Sequence, residues 1–431
     1  MPSEPSADGP FVYRRSRDEL ILTIVAFFAV TFIVCGLIVD EPVVVFRGII
    51  AILQSRDTLL TDYFAIAGVG GSLAHAGLLT LLACALYRHL RAPIGGAALA
   101  CLFLLLGFGL FGKNLLNTWC IVAGVWLYAR VVGEPFLKHI NTAFFGAALA
   151  PVVTEILFST LIPSTIRLPL AVGVGLLISF ILPPVAAQLA KAHMGYVLYN
   201  IGFAAGLVGV LVVALLSSYK IVPTPVFLWT SGPNPLCLGL IAAIFTVLPL
   251  ISLYIDRRSF RHLWPMWRSS GRSPSDFIAQ FGLAATLLNM GLTGWLALLY
   301  ILAIGGDING PVMAGLLSVA GFGAFGKHPI NVTPVVLGVF LGSLTKSWAL
   351  VDPAVQLTAL FATNLAPVSG RFGWGWGTVA GYLHASVALL VIPFHGGLNL
   401  YNNGFAAGIV ATALVPVILA LEAARDHRRQ P

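Results

Sequence analysis

The chain contains the same passage twice. The octapeptide GFGLFGKN at residues 107–114 returns as GFGAFGKH at 321–328, and HMGYVLYNIGFAAG at 193–206 returns as HGGLNLYNNGFAAG at 395–408. Asp62 and Asp276, like Lys113 and Lys327, stand 214 positions apart. In that register Gly68 matches Gly282, Leu73 matches Leu287, Gly77 matches Gly291, Asn117 matches Asn331 and Gly124 matches Gly338. The offset becomes 216 at the Ala150-Pro151 and Ala366-Pro367 pairs and 202 at the second motif, so only connecting segments differ in length. A chain built this way has to fold as two related units.

Composition decides what surrounds those units. Hydrophobic residues make up 58% of the 431 and charged residues 9%, far from the balance of a water-soluble domain, so most of the surface faces lipid. The net charge of +8 comes from arginines scattered in short loops. Positive-inside placement accounts for them, and no nucleic-acid partner is implied. The five cysteines lie in apolar segments without metal-ligand spacing and read as small hydrophobes.

The expected fold is all-α: a polytopic membrane protein of about 12–14 hydrophobic segments in two inverted repeats, with re-entrant half-helices an option. Residues 1–54 form a cytoplasmic N-terminus and first helix, and 55–217 form repeat one. Residues 218–268 supply a linker with one membrane helix and an arginine-rich loop, and 269–431 form repeat two with a short basic tail. Arg14, Arg15 and Arg17, the loop from Arg257 to Arg272, and Arg425, Arg428 and Arg429 place both termini in the cytoplasm of a bacterial inner membrane. The linker helix turns the second copy over. The segments flanking the Gly-Lys motif are about 17 residues long, or roughly 25 Å, which is short for a bilayer core of roughly 30 Å. They are either thin-membrane spans or re-entrant halves.

Candidate pathway residues follow from the duplication. Lys113, Asn114 and Asn117 would meet Lys327, His328 and Asn331 across a local two-fold axis, with snorkelling of the lysines to the surfaces as the plain alternative. Tyr199 and Asn200, and their counterparts Tyr401 and Asn402, open the last helix of each repeat. Their amides offer donors and acceptors to a polar solute, or cap that helix. The small residues that follow are a packing signal. Glu155, costly in an apolar segment, and His193 and His395 are candidates for proton coupling. Asp62 and Asp276 read as helix caps, and His75 and His384 as buried structural histidines. No metal-ligand spacing, nucleophile elbow or nucleotide-binding loop occurs, so no cofactor and no enzymatic activity are expected.

The two repeated motifs resemble those of an uncharacterised bacterial family of duplicated membrane proteins, catalogued only as a domain of unknown function. The Tyr199-Asn200 and Tyr401-Asn402 starts are more loosely similar to urea transporters, which are also built from two inverted repeats; that likeness implies a passive channel for a neutral solute. The residues themselves point to a transporter or channel for a small polar or anionic solute, embedded in the lipid bilayer and compatible with a homo-oligomer. An intramembrane enzyme acting on a lipid-borne substrate is the reading from another class, and a non-catalytic scaffold a third.

Overall fold

The computed structural model describes residues 9–428, with side chains from residue 17 onward; the charges of Arg14, Arg15 and Arg429 used above lie outside that description. All the regular structure is helical. Helices α1 (Gly9–Val39), α2 (Pro42–Leu53), α3 (Phe64–His89), α4 (Gly96–Phe108) and α5 (Asn117–Val131) open the chain. They are followed by α6 (Ile140–Gly146), α7 (Ala150–Leu157), α8 (Ser164–Ala192), α9 (Asn200–Ser218) and α10 (Pro235–Ile255). The rest comprises α11 (Leu263–Trp267), α12 (Phe277–Phe281), α13 (Leu283–Ala303), α14 (Gly310–Gly321) and α15 (Pro329–Thr345). It closes with α16 (Pro353–Ala362), α17 (Ala366–Phe372), α18 (Trp374–Leu390) and α19 (Asn402–His427). Eight stretches among the described residues are long and apolar enough to cross a membrane, which makes this a multi-pass membrane protein. The short α2 adds to the segments expected from sequence. At 12 residues it is too short to cross, and it packs on α3 through Gly48, whose Cα lies against Gly71.

The short helices beside the Gly-Lys motif have a physical reason to be short. Twelve of the 13 residues of α4 and all 12 of α14 are buried. A helix enclosed by protein touches no lipid, so bilayer thickness does not set its length. The two pack on each other antiparallel: Gly96 lies against Ala324, Gly107 against Ala314, and Gly310 against Leu110. Because α4 and α14 are counterparts in the duplicated register, this contact joins one element to its own repeat, head to tail.

Other counterparts behave alike. Helix α3 breaks at Gly68 and the α12–α13 pair breaks at Gly282, both at positive φ. The apolar segment at 140–157 is divided into α6 and α7 by a short 3-10 turn before Pro151; α16 and α17 are divided the same way before Pro367. Proline has no N–H to continue the helix, so it fixes the position of each break. Helix α1 packs on Gly77 of α3 through Ala29 and Ile33, and α10 packs on the matching Gly291 through Phe245 and Pro249. The linker helix thus occupies beside α13 the place that α1 occupies beside α3.

Candidate functional site

Each Gly-Lys corner is built by the same local bonds. Gly112 (φ 77°) and Gly326 (φ 114°) turn the chain in a region closed to most side chains, and the following lysine N–H closes on the carbonyl five residues earlier, Phe108 or Phe322. Helix α15 then starts with a reciprocal cap: Asn331 N–H donates to His328 Nδ1, and His328 N–H donates to Asn331 Oδ1. Asn114 and Asn117 exchange the same pair of bonds before α5, each at 2.8 Å. Asn117 and Asn331 also donate to the carbonyls of Gly112 and Gly326. His75 donates from Nδ1 to Gly109 O, and the matched Asn289 donates to Gly323 O. Asn114, Asn117, His328 and Asn331 therefore shape their own corners, and the bonds described for them stay within each copy.

The lysine side chains run inward. Lys113 and Lys327 are each 0% exposed. The Lys113 ammonium donates to the Tyr401 hydroxyl (2.5 Å) and to Phe144 O (3.0 Å), and lies over the rings of Tyr401 and Phe108. The Lys327 ammonium donates to the Tyr199 hydroxyl (2.6 Å) and Thr363 Oγ1 (2.7 Å), and lies over the rings of Tyr199 and Phe322. The pairing is crossed: each lysine takes the tyrosine of the other repeat. Among the described residues neither has a carboxylate within ion-pair distance. A charged ammonium held this way is expensive to bury, and hydroxyls, carbonyls and ring faces offset only part of that cost.

Four further crossed backbone bonds hold the arms that carry the tyrosines. Leu400 N–H donates to Ala148 O, a carbonyl at the break between α6 and α7; Leu198 N–H donates to Asn364 O at the matching break. Leu59 N–H donates to Gly397 O, and Ser273 N–H to Gly195 O. Helices α9 and α19 meet at Gly202 and Gly404, where a Cβ on Gly202 would come within 3.0 Å of the Gly404 Cα. Tyr199 and Tyr401, the two tyrosines that hold the lysines, line with Phe108, Phe361 and Asn403 a small cavity of about 10 Å³, room for about one water.

The remaining candidates lie elsewhere. Asn200 and Asn402 donate to Ala186 O and Ala388 O and accept from His193 and His395, so both amides tie their helix to the preceding one. They neither reach the central cavity nor cap α9 and α19. Glu155 is paired with Arg56 at 2.8 Å, and Arg56 also donates to Thr224 O. Asp276 caps α12 through Ala279 N–H. Asp62 accepts from the N–H groups of Phe64 and Thr230. His384 bonds Asn403.

Sequence reasoning missed Asp57, Thr363, Phe361 and the Phe144 carbonyl. Asp57, fully buried, accepts from Tyr63, Asn114 and Asn117. Its counterpart in the register is Gly271, and an acid that breaks an otherwise faithful duplication was the available signal. Thr363 matches Ala147 in the same way. No group of three or more histidine, cysteine, aspartate or glutamate side chains that could hold a metal occurs among the described residues.

Helices that cross a membrane, packed about two matched and fully buried lysines, define the class: a multi-pass, all-helical membrane protein with an internal duplication. The chain belongs to the family described as protein of unknown function DUF1576, whose model matches it twice, at residues 41–218 and 255–420. No curated protein and no solved structure matches it. The likeness to urea transporters rests on the quoted residues alone.

Proposed function

We propose that the protein is a membrane transporter or channel that moves a small polar or anionic solute along a pathway where two inverted repeats meet. The observation that carries this reading is the crossed pair of lysine–tyrosine contacts, whose two tyrosines line one small cavity. Antiparallel packing of α4 on α14 supports inversion, since counterparts in parallel copies would run the same way. An inverted pair has two equivalent ways to open: one lysine parts from its tyrosine while the other pair stays shut. Each opening would expose an ammonium without a carboxylate partner, and an anion or the acceptor oxygens of a polar solute would complete it. By the positive-inside rule, the arginine loops support a reading with both termini in the cytoplasm. The same features fit an intramembrane enzyme less well, because they gather no acid–base pair or nucleophile at one leaflet.

Flux of a panel of small anions and neutral polar solutes into proteoliposomes tests the proposal. Wild-type protein should accelerate entry of at least one of them. Lys113→Met and Lys327→Met should each lower that flux at least roughly tenfold, the equivalent of about 1.4 kcal/mol, while the proteins still elute as folded particles. Wild-type flux through the double variant would remove the lysines from the pathway.

A further inference from the structure

The two lysine sites differ on one side. Next to Lys327 a groove of about 310 Å³ runs between α13 and α15, and its lining is apolar but for three hydroxyl-bearing side chains. Its rim is formed by exposed or half-exposed apolar residues such as Ala303, Ile304 and Leu337, so it opens on an apolar part of the protein surface. Its floor is formed by buried Val319, Leu360 and Thr363. Thr363 Oγ1 accepts from the Lys327 ammonium and donates to Leu360 O. The Tyr300 hydroxyl, on a residue that also lines the groove, is buried and has no hydrogen-bond partner.

In repeat one two of the corresponding positions hold aromatic side chains. Thr333 corresponds to Trp119 and Leu360 to Phe144, and these two rings pack edge to face with centroids 6.0 Å apart. Small residues in repeat two therefore leave space where repeat one has an aromatic pair.

We propose that this groove binds a fatty-acid-type carboxylate from the bilayer, its hydrocarbon chain along α13 and α15 and its head group at Thr363, beside Lys327. The polarity gradient selects this ligand. The rim is apolar and the floor carries the Thr363 hydroxyl backed by the Lys327 ammonium, so the ligand enters head first from a hydrocarbon phase. A phospholipid would insert its tail and leave a methyl end against Thr363 and Lys327, with its head group at an apolar rim. A carboxylate at the floor gives the Lys327 charge the counter-charge that the chain does not provide. A small rotation of Thr363 redirects its hydroxyl hydrogen bond from Leu360 O to the ligand carboxylate, and the Tyr300 hydroxyl is a second donor on the wall. The inference does not rest on transport, because binding is measured without flux.

The test is equilibrium binding of radiolabelled oleate to the full-length protein, purified in detergent and stripped of lipid. Saturable binding is expected, with methyl oleate and phosphatidylcholine competing at least roughly tenfold more weakly, a loss equal to about 1.4 kcal/mol. Lys327→Met should weaken oleate binding by a similar factor and leave methyl oleate unchanged. The double variant Thr333→Trp/Leu360→Phe, which installs the residues of repeat one, should abolish saturable binding; if it does not fold, Leu337→Trp at the rim replaces it. Equal competition by methyl oleate or phosphatidylcholine would reduce the groove to an unspecific apolar surface. Oleate binding that survives the groove-filling variant would place the ligand elsewhere.

Discussion

Lys113 and Lys327 occupy matched corners, and the differences between them are as informative as the match. Lys113 reaches the backbone carbonyl of Phe144 directly. Lys327 reaches the hydroxyl of Thr363, which passes the bond on to Leu360 O. Phe144 and Leu360 are counterparts, so the second site has a hydroxyl inserted into the bond of the first. A carbonyl fixed in a helix cannot turn, whereas a threonine hydroxyl can exchange partners by rotation about one bond. Repeat one also packs Trp119 and Tyr87 on Phe144, while repeat two keeps a groove at the same place. The first lysine thus sits in the stiffer frame and the second in the more adaptable one, which predicts unequal answers to equal substitutions.

The tyrosines should give the largest differences in stability. Tyr401→Phe and Tyr199→Phe each remove one of the two oxygens bound to a buried ammonium, a loss of about 2 kcal/mol for a hydrogen bond to a charged group. Unfolding in detergent should show both variants destabilised, Tyr401→Phe more than Tyr199→Phe, because Thr363 can reorient around Lys327. Equal losses would break the contrast between a stiff and an adaptable site. A smaller effect is expected from exchanging the bridging residue. Thr363→Ala lets Lys327 settle toward Leu360 O and should cost about 1 kcal/mol, within the range for a single hydrogen bond. A loss above about 3 kcal/mol would mean that the hydroxyl is indispensable and the two corners do not share a ground plan. The mildest perturbation is at the surface. Lys220 is exposed beyond the end of α9, and with both termini in the cytoplasm the α9–α10 connection would face outward, so Lys220→Cys should leave stability unchanged and react with an impermeant thiol reagent on intact cells. Reaction only after the membrane is opened would turn the whole arrangement over.

Much of this arrangement was legible in the residues because the duplication acts as an internal alignment. It paired Lys113 with Lys327 and Tyr199 with Tyr401. The crossed connection between those pairs was not legible, since periodicity reports neighbours along a helix and says nothing about which repeat supplies a distant partner. The asparagines illustrate the limit. Asn114 and Asn200 look alike as polar residues in an apolar chain, yet one closes a helix cap and accompanies a buried carboxylate, and the other ties two helices together through a histidine. Their roles are set by backbone carbonyls, which carry no signature in a sequence. Asp57 and Thr363 were hidden for another reason: both stand where the copies disagree, and attention to matched positions passes over them.

The exchange of arms has a consequence for how such a chain could have arisen. Neither half completes its own lysine or satisfies its own broken helix; Leu198 and Leu400 each serve the other half. Under the inverted arrangement proposed above, a protein of half this length could have formed the same centre only as two molecules inserted in opposite directions across one membrane. Fusion through α10 fixes that opposition in a single polypeptide and frees the two halves to diverge. The hydroxyl at Thr363 and the groove beside it are changes that a pair of identical subunits, bound to alter both sites at once, could not have made on one side alone.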